Sequence, residues 1–298
     1  MNKCLKGIVC ANITPFDKNG QVDYESLKNL TTYLVDAGIS AAYPSGTNGE
    51  GLALSIEERK KITRTMVDAA NGKMPVAIQC GTQTLEDTRE LLQHAKEAGA
   101  DAAGVVTPFF FRQDQDAIIA YYSSLFESVK DFPIYIYNIP SHTNNDILPA
   151  SMAVLAAKYE NFAGVKYSHP DIIRIAEYIA IKPEGFDSLI GCDRLIYAAA
   201  KVGAVGTVSG PAAVFPELFT GLWSAIDGRD DEAALKLQRI ISANDNALAK
   251  YQSIPLLKLY LKRKGIIDET VCRIPFREVS AEEEEEIMDV VTALRAKG

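Results

Sequence analysis

The chain has 298 residues, of which 47% are hydrophobic and 23% are charged, and its formal net charge at pH 7 is −8. This composition supplies enough apolar surface for a globular core, and the length fits one large domain or two ordinary ones. An acidic chain with no basic cluster argues against nucleic acid or an anionic membrane surface as its partner. A small anionic substrate is still compatible, because a local pocket can be positive on an acidic protein.

The cysteines and the N-terminal segment bear on cellular location. The cysteines (Cys4, Cys10, Cys80, Cys192 and Cys272) are odd in number and form no C-x-x-C pair, which is typical of reduced thiols. They have no metal-site spacing with the three histidines, so no metal ion is expected. Residues 1–4 lack the apolar core of a signal peptide, and no apolar run is long enough to span a bilayer. We therefore expect a soluble cytoplasmic protein.

Short β-branched runs alternate along the chain with longer amphipathic segments. The short runs predict buried strands and the amphipathic segments predict helices. Eight such runs match the number of strands in a closed (β/α)8 TIM barrel, so we predict an α/β fold of this class. The predicted strands lie near residues 7–13, 41–45, 76–80, 102–106, 134–137, 163–166, 189–191 and 204–208.

The predicted helices carry capping signals at both ends. Ser55 followed by Glu58 is a capping box at the start of an amphipathic run. Gly38, Gly99 and Gly203 each follow a predicted helix, where a left-handed C-cap is needed before the next strand. These signals support the alternation of helices with strands.

The chain from residue 216 onward is predicted to be helical throughout, which is more than the last barrel helix needs. We therefore predict two parts, a catalytic barrel over residues 1–223 and a C-terminal helical extension, packed on the barrel, over residues 224–298. The acidic run 282–286 suits the first turn of a helix capped by Ser280, because glutamates stabilise the positive end of the helix dipole. We prefer that interpretation to a functional acidic patch.

Lys166 is the one charged residue in the apolar run 162–167. Burial disfavours an ammonium ion and lowers the pKa of a lysine, and the neutral amine then attacks ketones to form a Schiff base. A lysine at a strand end that extends to solvent explains the same segment. The residues at the neighbouring strand ends favour the Schiff-base interpretation.

Those strand ends carry hydroxyl groups and glycines, at the edge of a (β/α)8 barrel where catalytic residues lie. The second predicted strand is followed by Gly46-Thr47-Asn48-Gly49, whose glycines allow backbone N–H groups to approach an anion closely. A carboxylate fits such a loop, whereas the lysine of a phosphate-binding loop is missing. A tight turn with an N-cap is an equal alternative.

Tyr137 ends the fifth predicted strand. A phenol beside a Schiff-base lysine transfers protons between the carbinolamine, the imine and the enamine. The alternative is a core tyrosine with a satisfied hydroxyl. Tyr135 has the same side-chain parity as Tyr137 and is the better candidate for that structural role.

Three motifs, in this order and spacing, resemble the dihydrodipicolinate synthase / N-acetylneuraminate lyase family. They are the loop 46–50 (GTNGE), the strand end 137–140 (YNIP) and the strand 164–166 (GVK). The resemblance covers nearly the whole chain, from Gly7 to the segment 272–275. It implies a (β/α)8 barrel with C-terminal helices, usually assembled as a homotetramer, that forms a Schiff base with pyruvate or another 2-keto acid.

The same resemblance implies roles for individual residues. Lys166 forms the imine and Tyr137 is the acid/base. Thr47, together with Gly46 and the backbone at Asn48, holds the keto-acid carboxylate and helps to relay protons. Gly191 and Ser209 line the pocket.

Two positions depart from the pattern of the dihydrodipicolinate synthases. Phe110 stands where those enzymes usually carry a tyrosine lent by a neighbouring subunit, and His142 stands where they carry an arginine that holds the carboxylate of the aldehyde substrate. A phenylalanine relays no proton, and a neutral histidine does not form the bidentate pair of an arginine. Both departures argue against dihydrodipicolinate synthesis.

The match to the sialic-acid lyases is also partial. Asp193 matches an acidic residue that binds sugar hydroxyls, but the following glutamate is Arg194 here, and the pocket serine falls at Gly210. Asn48 resembles the branches that cleave hydroxy-keto acids such as 4-hydroxy-2-oxoglutarate. Arg194 is either a positive charge for the far end of a carboxylate-bearing substrate or a surface helix residue.

These residues together predict a class I aldolase or lyase that makes or breaks a carbon–carbon bond between pyruvate and an aldehyde. The covalent imine on Lys166 replaces any metal or other cofactor. The alternatives are dihydrodipicolinate synthase proper, a dehydratase of 2-keto-3-deoxy sugar acids, and a non-catalytic keto-acid sensor. Phe110 is compatible with a sensor, whereas the joint presence of Lys166, Tyr137 and Thr47 argues against one.

Overall fold

Eight parallel strands form one ring in the computed structural model, which describes residues 5–181 and 186–295. The hydrogen-bonded order is β2-β1-β8-β7-β6-β5-β4-β3, and a parallel bridge between Ala42 and Val76 joins the two ends of this order. The predicted (β/α)8 barrel is therefore confirmed. The strands are β1 Gly7–Cys10, β2 Ala41–Ala42, β3 Ala77–Gln79, β4 Ala102–Val106, β5 Ile134–Asn138, β6 Phe162–Tyr167, β7 Asp187–Ile190 and β8 Gly206–Ser209.

Helices connect the strands and continue beyond the last one. The capping box at Ser55 and Glu58 is confirmed, and Gly38, Gly99 and Gly203 all have a positive φ after their helices. The helices are α1 Tyr24–Asp36, α2 Ile56–Ala70, α3 Leu85–Glu97, α4 Gln115–Ser128, α5 Pro140–Thr143, α6 Pro149–Lys158, α7 Ile172–Ala180, α8 Ile196–Lys201, α9 Pro216–Asp227, α10 Asp231–Leu248, α11 Ser253–Arg263 and α12 Ala281–Arg295.

The alternation of side chains along each strand builds two apolar layers. Val9 and Leu189 belong to the cluster that fills the inside of the barrel. Ile8 and Ile190, one residue away, belong to the larger cluster between the strands and the surrounding helices. Because both faces of a parallel strand are buried in this fold, the strands are apolar almost throughout.

The C-terminal extension comprises α10, α11 and α12, and the predicted boundary at residues 223 and 224 lies inside α9. The prediction of continuous helix from residue 216 is wrong between α11 and α12, where residues 265–280 are irregular. The guanidinium of Arg273 in this segment donates hydrogen bonds to the carbonyl oxygens of Gly20 and Ala53, and it pairs with Glu58 at 2.5 Å. Contacts to the barrel therefore replace helical hydrogen bonds here. We call residues 265–280 the C-terminal segment.

A fully buried ion pair links the extension to the barrel. The side chains of Glu50, after β2, and Lys258, on α11, are both 0% exposed, with 2.5 Å between Oε1 and Nζ. The second carboxylate oxygen of Glu50 accepts a hydrogen bond from the backbone N–H of Arg273, and Lys258 also donates to the carbonyl oxygen of Val271. Both charges are thus paired and hydrogen-bonded, as burial of charges requires.

Cys10, Cys80, Cys192 and Cys272 are free thiols, and the fifth cysteine, Cys4, lies outside the described residues. Within residues 5–181 and 186–295, no three histidine, cysteine or acidic side chains come together as a metal-binding group. None of the helices described there has both the length and the apolar character needed to cross a membrane.

Replacing Lys258 with methionine is expected to lower the free energy of unfolding by about 3 to 5 kcal/mol, because the Glu50 carboxylate then stays buried without its cation. Urea denaturation measures this loss. The double variant Glu50→Gln/Lys258→Met is expected to lose less than the two single variants together, since it leaves no unpaired charge.

The matched control is Lys250→Met, which breaks the exposed pair between Lys250 and Glu286. Its expected loss is below about 1 kcal/mol. Equal losses in Lys258→Met and Lys250→Met would contradict a structural role for the buried pair.

Candidate active site

The parallel register brings the predicted Schiff-base lysine beside the predicted acid/base tyrosine. Lys166 on β6 lies opposite Tyr137 on β5 and opposite Leu189 on β7. Leu189 belongs to the cluster inside the barrel, so Lys166 lies at the same level of the ring, and the residue is only 4% exposed. Lys166 is therefore a buried residue and not a lysine that extends to solvent.

Two aromatic rings surround the amine of Lys166. Its Nζ lies 3.7 Å from the ring centroid of Tyr137 and 4.5 Å from that of Tyr43. Burial lowers the pKa of Lys166 below the ordinary lysine value of 10.5, although the nearby Tyr137 raises it in part. A lowered pKa increases the fraction of neutral amine at physiological pH, and the neutral amine is the nucleophilic form.

The hydroxyl of Tyr137 lies 3.2 Å from Oγ1 of Thr47, and either oxygen can act as the donor. Thr47 comes from the loop after β2, so two distant parts of the chain meet here. A phenol and a second hydroxyl next to a buried amine form a short path for protons. The structure thus brings Lys166, Tyr137 and Thr47 together.

The loop 46–50 is a compact turn. The N–H of Gly51 donates to the carbonyl oxygen of Gly46 at 3.0 Å, and Oγ1 of Thr14 donates to the carbonyl oxygen of Gly49 at 2.7 Å. A Cβ on Gly51 would lie 1.8 Å from the carbonyl oxygen of Ser45, so this position requires glycine. The last residue of the loop is Glu50, whose carboxylate is held by Lys258, and the loop is therefore fixed to the C-terminal extension.

Asn48 is anchored to the barrel through its side chain. Its Nδ2 donates to the carbonyl oxygen of Ala11 at 3.2 Å. A Cβ on Gly210 would lie 2.2 Å from this Nδ2, so the Asn48 amide fills the space beside Gly210. The absence of a serine at position 210 therefore has a steric reason in this chain.

Asp193, Ser209 and Gly191 lie at the ends of β7 and β8. The hydroxyl of Ser209 donates to Oδ2 of Asp193 at 2.8 Å. Removal from water raises the pKa of the Asp193 carboxyl to about 7, although the Ser209 hydrogen bond lowers it in part. Gly191 packs so closely on Ser168 that a Cβ would lie 1.9 Å from Oγ. Asp193 also lines a cavity of about 260 Å³ under α9, α10 and α11, which we call the helix-side cavity.

Arg194 is exposed, and its guanidinium is engaged outside the barrel mouth. Its Nε lies 3.0 Å from Oδ2 of Asp245, and a further nitrogen donates to Oδ1 of Asn246 at 3.3 Å. Both partners lie on α10 in the C-terminal extension. The positive charge of Arg194 is therefore paired with a carboxylate of this chain.

A second cavity, of about 470 Å³, opens above Thr47 and Tyr137, and we call it the loop cavity. Its walls are largely apolar and include Leu52, Val106, Phe109, Ile139, Ile274 and Phe276. His142 also lines it, with Nδ1 2.9 Å from Oγ of the neighbouring Ser141. Phe110 points away from the core, with 76% of its surface exposed and a φ of 73°.

Sequence reasoning missed two residues of this site. Tyr43 packs on Lys166, and its buried hydroxyl has no hydrogen-bond partner among the described residues. Glu50 fixes the loop through Lys258. An aromatic residue just before the loop and an acidic residue at its end were both visible in the sequence, but their partners come from β6 and α11.

A sequence profile of the Dihydrodipicolinate synthetase family matches residues 4–294. The 4-hydroxy-tetrahydrodipicolinate synthase of Bartonella bacilliformis is 34% identical over 271 residues, which are 91% of this chain and 92% of that protein. An uncharacterised DapA-like lyase of Halobacterium salinarum is 34% identical over 273 residues, which are 92% of this chain and 88% of that protein.

Solved structures agree with the sequence comparison. Dihydrodipicolinate synthase from Aquifex aeolicus superposes with a TM-score of 0.92 at 32% identity, covering 97% of this chain and 98% of that chain. The sialic acid aldolase of Ruminococcus gnavus, 24% identical, shares the fold with a TM-score of 0.92 over 98% of this chain and 99% of that one. The chain therefore belongs to the dihydrodipicolinate synthetase family, whose members are pyruvate-dependent lyases and synthases.

Proposed function

We propose that this enzyme is a class I aldolase that joins pyruvate to an aldehyde, and cleaves the product in reverse, with Lys166 as the Schiff-base residue. The observation that carries the proposal is the buried amine of Lys166 packed on the Tyr137 ring, whose hydroxyl contacts Thr47. The lowered pKa of Lys166 supports a nucleophilic amine. Backbone N–H groups and the hydroxyl in the loop 46–49 supply donors for the keto-acid carboxylate.

The reaction begins when the amine of Lys166 adds to the C2 carbonyl of pyruvate. Water leaves as the imine forms, with Tyr137 supplying the proton to the departing oxygen. The protonated imine withdraws electrons from C3, which loses a proton to the Tyr137–Thr47 pair and becomes an enamine. The two hydroxyl oxygens lie 3.2 Å apart, which is close enough for a proton to pass between them.

The enamine then attacks the aldehyde. A bond forms between C3 of pyruvate and the aldehyde carbon, and the carbonyl electron pair moves to oxygen, which takes a proton from the Tyr137–Thr47 pair. Water hydrolyses the resulting iminium, which restores the Lys166 amine and releases a 4-hydroxy-2-keto acid. Cleavage follows the same steps in reverse.

We also propose a homotetramer. Leu52 and Ile274 line the loop cavity, and Phe110 and Phe111 follow its lining residue Phe109 in the chain. All four side chains are exposed, and Ile274 is 92% exposed. Ile173 on α7 is exposed at a second position. A tetramer with D2 symmetry has more than one kind of interface, and exposed apolar surfaces commonly mark such interfaces. A cytoplasmic location is supported by the free thiols of Cys10, Cys80, Cys192 and Cys272.

Lys166→Met is expected to abolish turnover and to remove the adduct that borohydride traps with pyruvate, because the nucleophile is gone. It is also expected to raise the thermal stability. The pKa of Lys166 is lower in the folded protein than the ordinary 10.5, so the unfolded state binds more protons, and below pH 10.5 the lysine costs stability that methionine does not. Steady-state kinetics, peptide mass spectrometry and calorimetry measure the three effects.

The control is Lys28→Met, which removes a half-exposed lysine on α1 and should retain both turnover and adduct. A pyruvate adduct in the Lys166→Met variant would contradict the assignment of the nucleophile. An adduct in the parent protein without any product from any aldehyde would favour the keto-acid sensor.

Tyr137→Phe is expected to lower kcat by about 10²- to 10⁴-fold, because it removes the acid/base hydroxyl and leaves the aromatic ring that packs on Lys166. Steady-state kinetics at saturating pyruvate measure the change. Tyr135→Phe is the matched control on the same strand, since the Tyr135 hydroxyl contacts Asp187 and the N–H of Leu5 in the barrel interior. Similar kcat losses in both variants would argue against a catalytic role for Tyr137.

Phe111→Asp is expected to reduce the tetramer to smaller species, because the charge is placed at the exposed apolar rim. Sedimentation velocity measures the assembly. Leu235→Asp, at a 40% exposed position on α10, is the control and should remain tetrameric. A monomeric parent protein would refute the proposed assembly.

A further inference from the structure

The loop cavity is the space in which an aldehyde meets the reacting carbon. Thr47 and Tyr137, which exchange protons with the substrate in the proposed mechanism, both line it. The amine of Lys166 lies against the ring of the same Tyr137. The chemical character of this cavity therefore determines which aldehydes the enzyme accepts.

The walls of the loop cavity are mostly apolar, although Ser45, Gln79 and Thr143 also line it. Val106 is the last residue of β4, and Ile139 follows the last residue of β5. Both belong to a buried cluster with Tyr137. Phe109 packs against this cluster, and Ile274 and Phe276 of the C-terminal segment close the opposite side. Such walls stabilise hydrocarbon groups by removing them from water.

In the proposed function, the donors of the loop serve pyruvate, Tyr137 or the barrel and leave none for a second carboxylate. The Thr47 hydroxyl contacts Tyr137, and Nδ2 of Asn48 donates to Ala11. The remaining backbone donors of the loop are needed by the carboxylate of pyruvate. A second carboxylate on the aldehyde would have to find another partner.

No lysine or arginine is among the described residues that line the loop cavity. Its charged member, Glu50, is a carboxylate bound to Lys258, and His142 is engaged with Ser141. The helix-side cavity is likewise lined by the carboxylates of Asp193 and Asp245, with no lysine or arginine among its described lining residues. The guanidinium of Arg194 is paired with Asp245. A carboxylate-bearing aldehyde would thus be desolvated without a cation, which is strongly unfavourable.

We propose, on the basis of the function proposed above, that the acceptor is an uncharged aldehyde with an apolar body and that the loop cavity discriminates against aldehydes that carry a carboxylate. The apolar walls bind the hydrocarbon part, and the absence of a cation excludes the anion. Specificity of this kind arises as much from the penalty on the wrong substrate as from contacts to the right one.

The experiment compares two aldehydes of similar shape, 4-methylpentanal and succinic semialdehyde, in which an isopropyl group and a carboxylate replace one another. The parent protein is given saturating pyruvate, and kcat/KM is measured for each aldehyde. The expected ratio favours 4-methylpentanal by at least about tenfold, the range over which pocket contacts discriminate between substrates.

A variant pair tests the electrostatic reason. His142→Arg places a permanent cation in the lining of the loop cavity and is expected to shift the kcat/KM ratio toward succinic semialdehyde by at least about tenfold. Ser141→Arg is the matched control, because Ser141 is exposed, lies next to His142 and is not part of the lining. It is expected to leave the ratio unchanged.

Borohydride trapping with pyruvate alone distinguishes failure of the acceptor assignment from failure of the proposed aldolase function. An adduct on Lys166 together with a preference for succinic semialdehyde in the parent protein overturns the acceptor assignment and leaves the aldolase intact. Equal shifts in His142→Arg and Ser141→Arg also overturn it, since charge anywhere near the mouth would then suffice. Absence of a Lys166 adduct overturns the proposed function itself.

Discussion

The removal of one amine from water is the constraint on which the site depends. Lys166 lies on a strand whose neighbours on both sides are also buried, and the rings of Tyr137 and Tyr43 cover its amine. Burial opposes the ammonium form, so the pKa falls and the fold gives up stability. The same burial supplies the neutral amine that a Schiff base requires. Burial of the Lys166 amine therefore lowers the stability of the fold and raises the reactivity of the amine.

The C-terminal extension takes part in the site through electrostatics. The pair between Glu50 and Lys258 is completely buried, and Glu50 is the last residue of the loop that carries Thr47 and Asn48. Arg273 adds a backbone hydrogen bond to Glu50 and a second anchor on Ala53, a few residues further along. The loop is thus held on one side by the barrel and on the other by the C-terminal segment. The structural role of the C-terminal segment is therefore to hold this loop in place.

His142 and Phe110, the two residues that differ from the synthase pattern described above, lie in the lining of the loop cavity or next in sequence to it. His142 lines a cavity whose other walls are mainly apolar, and Phe110 follows the lining residue Phe109 and is exposed. No lysine or arginine is among the described residues that line the loop cavity or the helix-side cavity, and the guanidinium of Arg194 is paired with Asp245. In the proposed function, His142 would meet the second substrate, whereas Lys166, Tyr137 and Thr47 act on pyruvate.

The barrel itself was predictable, because short apolar runs separated by capped helices leave few alternatives, and all eight strands fall where the runs lie. Lys166, Tyr137 and Thr47 were also accessible, since each stands at a strand end or loop with a recognisable motif. Their distances, the cover provided by Tyr43 and the pairing of Arg194 with Asp245 were not. Local pattern determined the order of strands and helices and the residue types at their ends. Tertiary structure decided which charges are buried, paired or free, because the partners of Glu50, Lys166 and Arg194 are brought close only by closure of the barrel and packing of the extension.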